Sequence, residues 1–203
     1  MSKRKIKILD SKSGYNLAAE TYDQKEKYLN SFEQGKIFEL LGEIKNKEVL
    51  DIGAGTGRLT NILVQKGAKI TALDISEEML KVLHRKNSLV KTIIGDAENL
   101  PFKDKNFDLV VSTFLIVHLK DLSKFFNGVY RVLKNDGLFL LTNINQKEPP
   151  KVDTRAGSIK IESYYHRPEE VREVLTETAF NIEKEIFIKE KDNWINQILL
   201  VKK

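Results

Sequence analysis

The chain has 203 residues, a formal net charge of +5 and no cysteine, which excludes disulfides, cysteine-ligated zinc sites and a catalytic thiolate. A hydrophobic content of 41% beside 31% charged residues is typical of a globular chain that can bury a substantial core, and not of a disordered one. No apolar run approaches the roughly 20 residues that a membrane span needs. The basic start leads into no apolar signal-peptide segment, so we expect a cytoplasmic protein.

The hydrophobic pattern predicts alternating helices and strands. A leading helix over 24–44 comes first, with Tyr28 among the candidates for its buried face. The elements that follow are predicted strands near 47–52, 69–73, 90–95, 107–113 and 137–143, with helices near 57–66, 77–87 and 122–134. Another helix begins at Pro168, and strands near 181–189 and 193–201 form a terminal hairpin. This alternation predicts an α/β fold with an open, mostly parallel sheet.

A glycine-rich turn follows the first strand of that sheet. Gly53, Gly55 and Gly57 stand at alternate positions after Asp51. Glycines let the backbone approach a ligand closely, and the next helix presents its unpaired N–H groups to it. The usual dinucleotide fingerprint would need a glycine at Arg58. The Asp51 carboxylate would repel a pyrophosphate but suits a cationic amine, so the turn favours S-adenosylmethionine (SAM), which has a sulfonium, an ammonium and no phosphate.

Acidic residues also follow the next two strands. Asp74 ends the second strand, 17 residues after Gly57, where a carboxylate can hold a ribose diol through two hydrogen bonds. Asp96 follows the third strand, and its carboxylate can accept a hydrogen bond from an adenine amino group. The turn-forming tendency of glycine and aspartate explains the second of these stretches almost as well.

Together these motifs resemble the class I (Rossmann-like) SAM-dependent methyltransferases, in particular the broad group of ubiquinone/menaquinone-biosynthesis and biotin-pathway enzymes. The matching segments are 50–59, 73–80, 95–102, 107–112, 118–119 and 131–137. The resemblance implies a doubly wound Rossmann-like sheet of about seven strands with an antiparallel last strand. Within one methyltransferase domain over 1–203 we expect an N-terminal helical lid over 1–45, a cofactor-binding core over 46–143 and an acceptor-side segment with a terminal hairpin over 144–203.

The resemblance also implies roles for individual residues. Residues 51–57 would hold the methionine part of SAM, Asp74 the ribose, and Asp96 with Ala97 the adenine. The predicted cofactor-binding residues are Tyr22, Asp51, Gly53, Ala54, Gly55, Gly57, Asp74, Ile75, Asp96, Ala97, Glu98 and Ser112. The product would be S-adenosylhomocysteine (SAH), and no metal site is expected.

His118 is the candidate catalytic residue, because a histidine after the fourth strand can act as a general base with a modestly tuned pKa. A helix-capping or packing histidine is the alternative interpretation. The predicted substrate-binding residues are Tyr15, Phe114, Tyr164, Tyr165, His166 and Arg167. The last four, 164–167, can equally be packing aromatics and a helix start.

The main functional hypothesis is a metal-independent SAM methyltransferase acting on a small molecule. The fourth strand, 107–113, is not followed by the Asn/Asp-Pro-Pro-Tyr/Phe element of many amino-directed methyltransferases, nor by the acidic set of a magnesium-dependent enzyme. An RNA or protein methyltransferase is the runner-up, although only seven of the 34 basic residues are arginine, the residue suited to bidentate contacts. A SAM-binding accessory subunit without turnover remains open, and a nicotinamide oxidoreductase is least favoured.

Overall fold

The computed structural model describes residues 7–203. The strands within that range are β1 (Ile8–Leu9), β2 (Glu48–Ile52), β3 (Lys69–Asp74), β4 (Lys91–Ile94), β5 (Phe107–Ser112), β6 (Leu133–Ile144), β7 (Lys151–Thr154), β8 (Gly157–Ile161), β9 (Asn181–Glu190) and β10 (Asn193–Lys202). The α-helices are α1 (Ser11–Ala18), α2 (Glu26–Ser31), α3 (Lys36–Leu41), α4 (Arg58–Gln65), α5 (Glu77–Lys86), α6 (Leu122–Val132) and α7 (Pro168–Glu177). Short 3-10 helices lie at Tyr22–Lys25 and Ile116–His118.

A seven-stranded sheet has the order β4-β3-β2-β5-β6-β10-β9. Strands β2 to β6 pair in parallel, whereas β10 is antiparallel to both of its neighbours. This confirms the predicted Rossmann-like sheet with an antiparallel last strand. The chain moves outward from β2 to β4 and then returns to β5, so the order of the strands switches between β2 and β5. In such sheets a ligand binds beyond the carboxyl ends of the strands at this switch.

Helices cover both faces of the sheet and bury its apolar side chains. On one face Phe125 of α6 and Val171 of α7 are fully buried against the strands. On the other face Ile37 of α3, Leu63 of α4 and Leu83 of α5 are fully buried in a second cluster. The two clusters pack against both faces of the central strands, and the loops that follow these strands extend from this packed core. No described helix is both long and apolar enough to cross a membrane.

The predicted leading helix over 24–44 is wrong as a single element. The chain there forms the end of a 3-10 helix and then α2 and α3, which are separated at Gln34 and Gly35. These two residues have φ angles of 47° and 75°, and left-handed backbone interrupts the hydrogen-bond ladder of a right-handed helix. Tyr28, expected on a buried face, is 62% exposed.

A small second sheet, which the sequence pattern did not predict, lies beside α1. Strand β8 pairs in parallel with β1 and antiparallel with β7. The helix approaches β8 closely, since a Cβ added at Gly14 would lie 2.8 Å from the Ile161 side chain. Helix α6 also ends two residues earlier than predicted, and β6 begins at Leu133 instead of 137.

Candidate active site

A cleft opens at the switch in strand order, beyond the carboxyl ends of β2, β3, β4 and β5. All the predicted cofactor-binding residues except Gly57 and Ser112 line it. The N-terminal segment, residues 11–33, contributes Ser11, Tyr15 and Leu29 to the same lining. The structure thus brings together residues from four strand ends and from the segment before β2. We call this space the cofactor cleft.

The glycine turn forms one wall of the cofactor cleft. Gly53, Gly55 and Gly57 have φ angles of 75°, 55° and 88°, a region that side-chain-bearing residues adopt at a cost. A Cβ at Gly55 would meet nothing within 4 Å, so the backbone there is open to a ligand. A Cβ at Gly57 would instead overlap the Leu83 side chain. Gly57 therefore serves the packing of α4 on α5, which is why it does not line the cleft.

Asp51 is a buried carboxylate at the end of β2, with 2% of its surface exposed. The Thr60 hydroxyl donates a hydrogen bond to Asp51 Oδ2 at 2.6 Å, and Oδ1 accepts none from the described residues. Burial raises the pKa of Asp51 to about 6, against the opposing effects of the Thr60 hydrogen bond and the Arg58 charge. A cationic group beside Asp51 would offset the cost of keeping its charge buried.

Asp74 ends β3 and is 8% exposed. Its Oδ2 accepts a hydrogen bond from the Gly55 N–H at 2.8 Å, and its Oδ1 accepts one from the Ser76 N–H at 2.8 Å. Burial raises its pKa, while the N–H groups of Ser76, Gly55 and Ile75 lower it. Each oxygen of the Asp74 carboxylate thus accepts one backbone hydrogen bond. The remaining lone pairs of the two oxygens can accept hydrogen bonds from a pair of neighbouring hydroxyl groups.

The loop after β4 forms the far end of the cofactor cleft. Asp96, Ala97 and Glu98 all line it. Asp96 Oδ1 accepts a hydrogen bond from the Glu98 N–H at 2.9 Å, which fixes the turn. Ser112, in contrast, is fully buried at the end of β5, and its hydroxyl has no partner among the described residues. Val110, two residues earlier on β5, belongs to the apolar cluster that α6 covers, and Ser112 does not line the cofactor cleft.

A second cleft adjoins the first on the side of β6 and β7. Tyr15, Tyr22, Leu29, Phe114 and His118 line both clefts. The second cleft is additionally bounded by aromatic side chains and by the chain that follows β6; these residues include Tyr28, Phe32, Ile144, Asn145 and Gln146. The described residues therefore form two adjoining spaces with a common, largely aromatic boundary. We call the second space the acceptor cleft.

His118 lies at the boundary of the two clefts, and its hydrogen bonds define its tautomer. The Glu162 carbonyl oxygen lies 2.8 Å from Nδ1 and can only accept, so Nδ1 carries the hydrogen. Nε2 therefore accepts a hydrogen bond from the Tyr15 hydroxyl at 2.7 Å. Burial lowers the pKa of His118 below its ordinary value, although the Glu162 carbonyl opposes this. Burial also raises the pKa of Tyr15, so the pair is neutral near pH 7.

The predicted substrate residues after β8 do not line either cleft. His166 is 3% exposed, and its Nε2 donates a hydrogen bond to the Leu119 carbonyl at 2.8 Å. Tyr165 packs beside Trp194, with 6.5 Å between ring centroids, and Arg167 precedes α7 as its N-cap. The Tyr164 N–H donates to the Val117 carbonyl at 2.7 Å. These contacts agree with the alternative interpretation, packing aromatics and a helix start, and a substrate-binding role for residues 164–167 stays a prediction.

Polar contacts that the sequence analysis missed connect the N-terminal segment to the glycine turn. The Thr56 hydroxyl donates a hydrogen bond to Asp23 at 2.6 Å. Arg58 forms a bidentate ion pair with Glu33, with N–O distances of 2.6 and 2.7 Å. The side chains of Arg58 and Glu33 are only 12% and 4% exposed. In the sequence, these contacts were indicated only by the position of Arg58, a charged residue directly after the third glycine.

Comparison with known proteins agrees with this geometry. A family model described as a methyltransferase domain matches residues 50–141. A malonyl-[acyl-carrier protein] O-methyltransferase from Hamiltonella defensa is 32% identical over 132 residues, which are 65% of this chain and 51% of that protein. A demethylmenaquinone methyltransferase from Thermotoga maritima is 33% identical over 132 residues, 64% of this chain and 56% of that protein. The chain thus spans about half the length of these relatives.

The fold is also found among solved structures. An S-adenosylmethionine dependent methyltransferase from Mesorhizobium loti superposes with a TM-score of 0.73 at 16% identity, and the match covers 85% of this chain and 98% of that one. The identity is low, so this likeness shows the shared fold. Residues 50–141 therefore carry a methyltransferase domain, within a sheet that has the fold of the SAM-dependent methyltransferases.

Proposed function

We propose that the protein transfers a methyl group from SAM to a small-molecule acceptor and releases SAH. The observation that carries the proposal is the common boundary of the cofactor and acceptor clefts at Tyr15, Phe114 and His118. A molecule in the acceptor cleft can approach the cofactor directly across this boundary. The similarity to a demethylmenaquinone methyltransferase supports a small-molecule acceptor.

The residues of the cofactor cleft fit the parts of SAM. Asp51 offers a buried carboxylate to the α-ammonium group, and Asp74 offers one to the ribose hydroxyls. Gly55 leaves open space beside the methionine part, and the loop at Asp96 and Ala97 borders the site for adenine. When bound, SAM supplies a methyl group on a sulfonium that is already an activated leaving centre. We propose that the protein contributes to the rate by positioning the acceptor and by supplying one general base.

In our proposal His118 is that base. Nε2 carries a lone pair directed at the Tyr15 hydroxyl, and the lowered pKa keeps the ring unprotonated near pH 7. An acceptor hydroxyl that replaces Tyr15 on Nε2 could give up its proton as the methyl group is transferred. The Glu162 carbonyl holds the ring in orientation through Nδ1. In-line positioning of the acceptor supplies the rest of the acceleration.

The acceptor cleft favours a molecule with a flat, apolar part. Tyr22, Tyr28, Phe32 and Phe114 present aromatic surface to it, and aromatic rings pack favourably on planar groups. The same cleft is also lined by polar and charged side chains, which are Lys25, Asn145, Gln146, Glu148 and Lys151. We therefore expect an acceptor with a flat, apolar part and a polar or charged part.

We also propose that transfer needs no metal ion, because the sulfonium does not require a Lewis acid to leave. Dialysis against EDTA should leave the rate unchanged. A loss of rate that added Mg²⁺ restores would contradict this part of the proposal.

The segment before β2 would act as a lid over the cofactor. Tyr15 and Tyr22 line the cofactor cleft, and Asp23 and Glu33 bind the glycine turn through Thr56 and Arg58. Residues 7–45 would then have to move for SAM to enter and for SAH to leave. This proposal matches the division of the chain into a lid, a core over 46–143 and an acceptor-side segment over 144–203.

The test is methyl transfer from labelled SAM to fractions of a cell extract that has been freed of endogenous small molecules. Small-molecule, lipid, RNA and protein fractions are added back singly, and the Asp74→Ala variant gives the background. Label in the small-molecule or lipid fraction supports the proposal. Label in RNA or protein would favour the runner-up, and intact SAM binding without label in any fraction would favour an accessory subunit.

A further inference from the structure

The charges that line the cofactor cleft are unequal. Four carboxylates border it, those of Asp51, Asp74, Asp96 and Glu98, whereas Arg58 is the single lysine or arginine among the described lining residues. The methionine part of SAM carries an α-carboxylate next to its α-ammonium group. A carboxylate in this acidic surrounding requires a positive or N–H-rich partner.

The backbone of the glycine turn offers few free donors to that carboxylate. The N–H groups of Gly53 and Ala54 both donate to the Leu73 carbonyl, at 2.8 and 3.2 Å. The Gly55 N–H donates to Asp74 at 2.8 Å, and the Gly57 N–H donates to the Ala54 carbonyl at 3.0 Å. These four N–H groups of the glycine turn are therefore already used. The free backbone donors of the first turn of α4 carry no formal charge to offset the four carboxylates.

Arg58 follows the glycine turn at the start of α4 and also lines the cofactor cleft, and not all of its N–H groups are used. Its two terminal nitrogens bind Glu33; one of them also donates to Asn30 at 2.8 Å, and the other donates to the Thr113 hydroxyl at 3.4 Å. The Nε–H makes no hydrogen bond to a described residue and is not among the buried polar atoms without a partner, so it is the donor left for a ligand. The guanidinium lies 5.4 Å from the centre of the Phe114 ring, and its charge lowers the pKa of Asp51. The Arg58 charge thus acts on the carboxylate that would hold the α-ammonium group, and both residues line the cofactor cleft.

We propose that Arg58 binds the α-carboxylate of the cofactor while Asp51 binds its α-ammonium group, and that Glu33 orients Arg58 for this contact. The inference rests on the proposed use of SAM. Glu33 lies between α2 and α3 in the N-terminal segment. The binding of the methionine part of SAM therefore depends on whether the N-terminal segment is packed against the cofactor cleft. Arg58 would link the closure of the lid to the occupancy of the cofactor cleft.

The test compares three ligands by isothermal titration: SAH, its analogue that lacks only the α-carboxylate, and methylthioadenosine, which lacks the whole amino-acid part. Arg58→Gln should weaken SAH binding roughly 10- to 100-fold, the size expected for a lost charge-assisted hydrogen bond. It should change the affinity for the other two ligands less than about threefold. Glu33→Gln should give a smaller loss that is also confined to SAH.

The controls separate this contact from a general loss of structure. Arg172→Gln removes an arginine of α7 that pairs with Glu185 of β9, the edge strand beyond β10, and it should leave the binding of all three ligands unchanged. Equal losses for all three ligands in Arg58→Gln, or no loss for any, would overturn the proposal. If the unaltered protein bound neither SAH nor methylthioadenosine, the use of SAM itself would be wrong. Circular dichroism of each variant checks that it is folded.

Discussion

The Asp74 carboxylate accepts a hydrogen bond from the Gly55 N–H at 2.8 Å, so the end of β3 holds the turn that follows β2. The same carboxylate accepts a second hydrogen bond from the Ser76 N–H, at the start of α5. One buried side chain thus connects two neighbouring loops of the cofactor cleft. A ribose that binds this carboxylate would bind to a group whose position is already fixed.

Replacing Asp74 tests this arrangement directly. We expect Asp74→Ala to weaken SAH binding by about 100-fold or more, because it removes the acceptor of two charge-assisted hydrogen bonds to the ribose and loosens the turn at Gly55. Titration calorimetry measures the loss. Asp104→Asn is the matched control, since Asp104 is exposed and pairs with Arg131 away from the cleft. Unchanged SAH affinity in Asp74→Ala would contradict the assignment of the cofactor cleft.

The affinity for SAH should depend on pH through Asp51. Burial raises the pKa of Asp51 to about 6 in the free protein, and only the ionised carboxylate attracts the α-ammonium group. Protons therefore compete with the ligand below this pKa, and the dissociation constant should rise about tenfold between pH 7 and pH 5. Titrations at four or five pH values give the slope.

The control for this pH dependence is Asp51→Asn, which cannot titrate. Its SAH affinity should be weaker at pH 7 and should change much less between pH 7 and pH 5. Any residual slope reports Asp74, whose pKa is also raised by burial. A slope as steep as that of the unaltered protein would show that Asp51 does not control the binding.

The sequence was sufficient to predict the sheet and which residues meet at the carboxyl ends of its strands, because these signals are local. Gly53, Gly55 and Asp74 each stand at a strand end, and the parallel topology brings strand ends together. The order of buried strands therefore predicted which carboxylates meet. Two of the predicted cofactor-binding residues, Gly57 and Ser112, do not line the cofactor cleft, although a residue next to each of them does. Side-chain direction at such positions depends on packing that no local pattern encodes.

The acceptor side could not be predicted to the same extent. Tyr28 has the spacing of a core residue, yet the left-handed backbone at Gln34 and Gly35 ends the helix and leaves it exposed at the acceptor cleft. The bond between Tyr15 and His118 joins residues 103 positions apart. Such a pair depends on how the N-terminal segment folds back over the sheet, which is a tertiary property.

His118→Asn tests the proposed base. We expect the turnover number to fall about 100-fold or more, the usual contribution of a positioned general base, while SAH affinity stays within about threefold. With the unaltered protein at saturating SAM, the rate should fall at low pH, where His118 becomes protonated, and the midpoint of that fall should lie below the ordinary pKa of histidine, about 6.5. This follows because burial lowers the pKa of His118, and the base works only when it is neutral.

A second histidine provides the control for this test. His84 is exposed on α5, so His84→Asn should retain both turnover and pH profile. If His118→Asn kept its turnover number, the packing interpretation of His118 would be correct, and positioning alone would account for transfer.

Gly57→Ala tests whether the third glycine of the turn serves packing instead of ligand contact. The added Cβ would overlap Leu83 of α5 at a residue with φ of 88°, so we expect the free energy of unfolding to fall by about 2 kcal/mol. Gly128→Ala in α6 is the matched control, because a Cβ there makes only ordinary contacts of 3.6 Å and 3.7 Å with Leu100, and alanine favours a helix by roughly 0.5–1 kcal/mol. Urea unfolding followed by circular dichroism compares the two. A Gly57→Ala protein that is as stable as the unaltered one but has lost SAH binding would instead show that Gly57 contacts the ligand, because a clash with Leu83 must appear in the free energy of unfolding whether or not SAH is present.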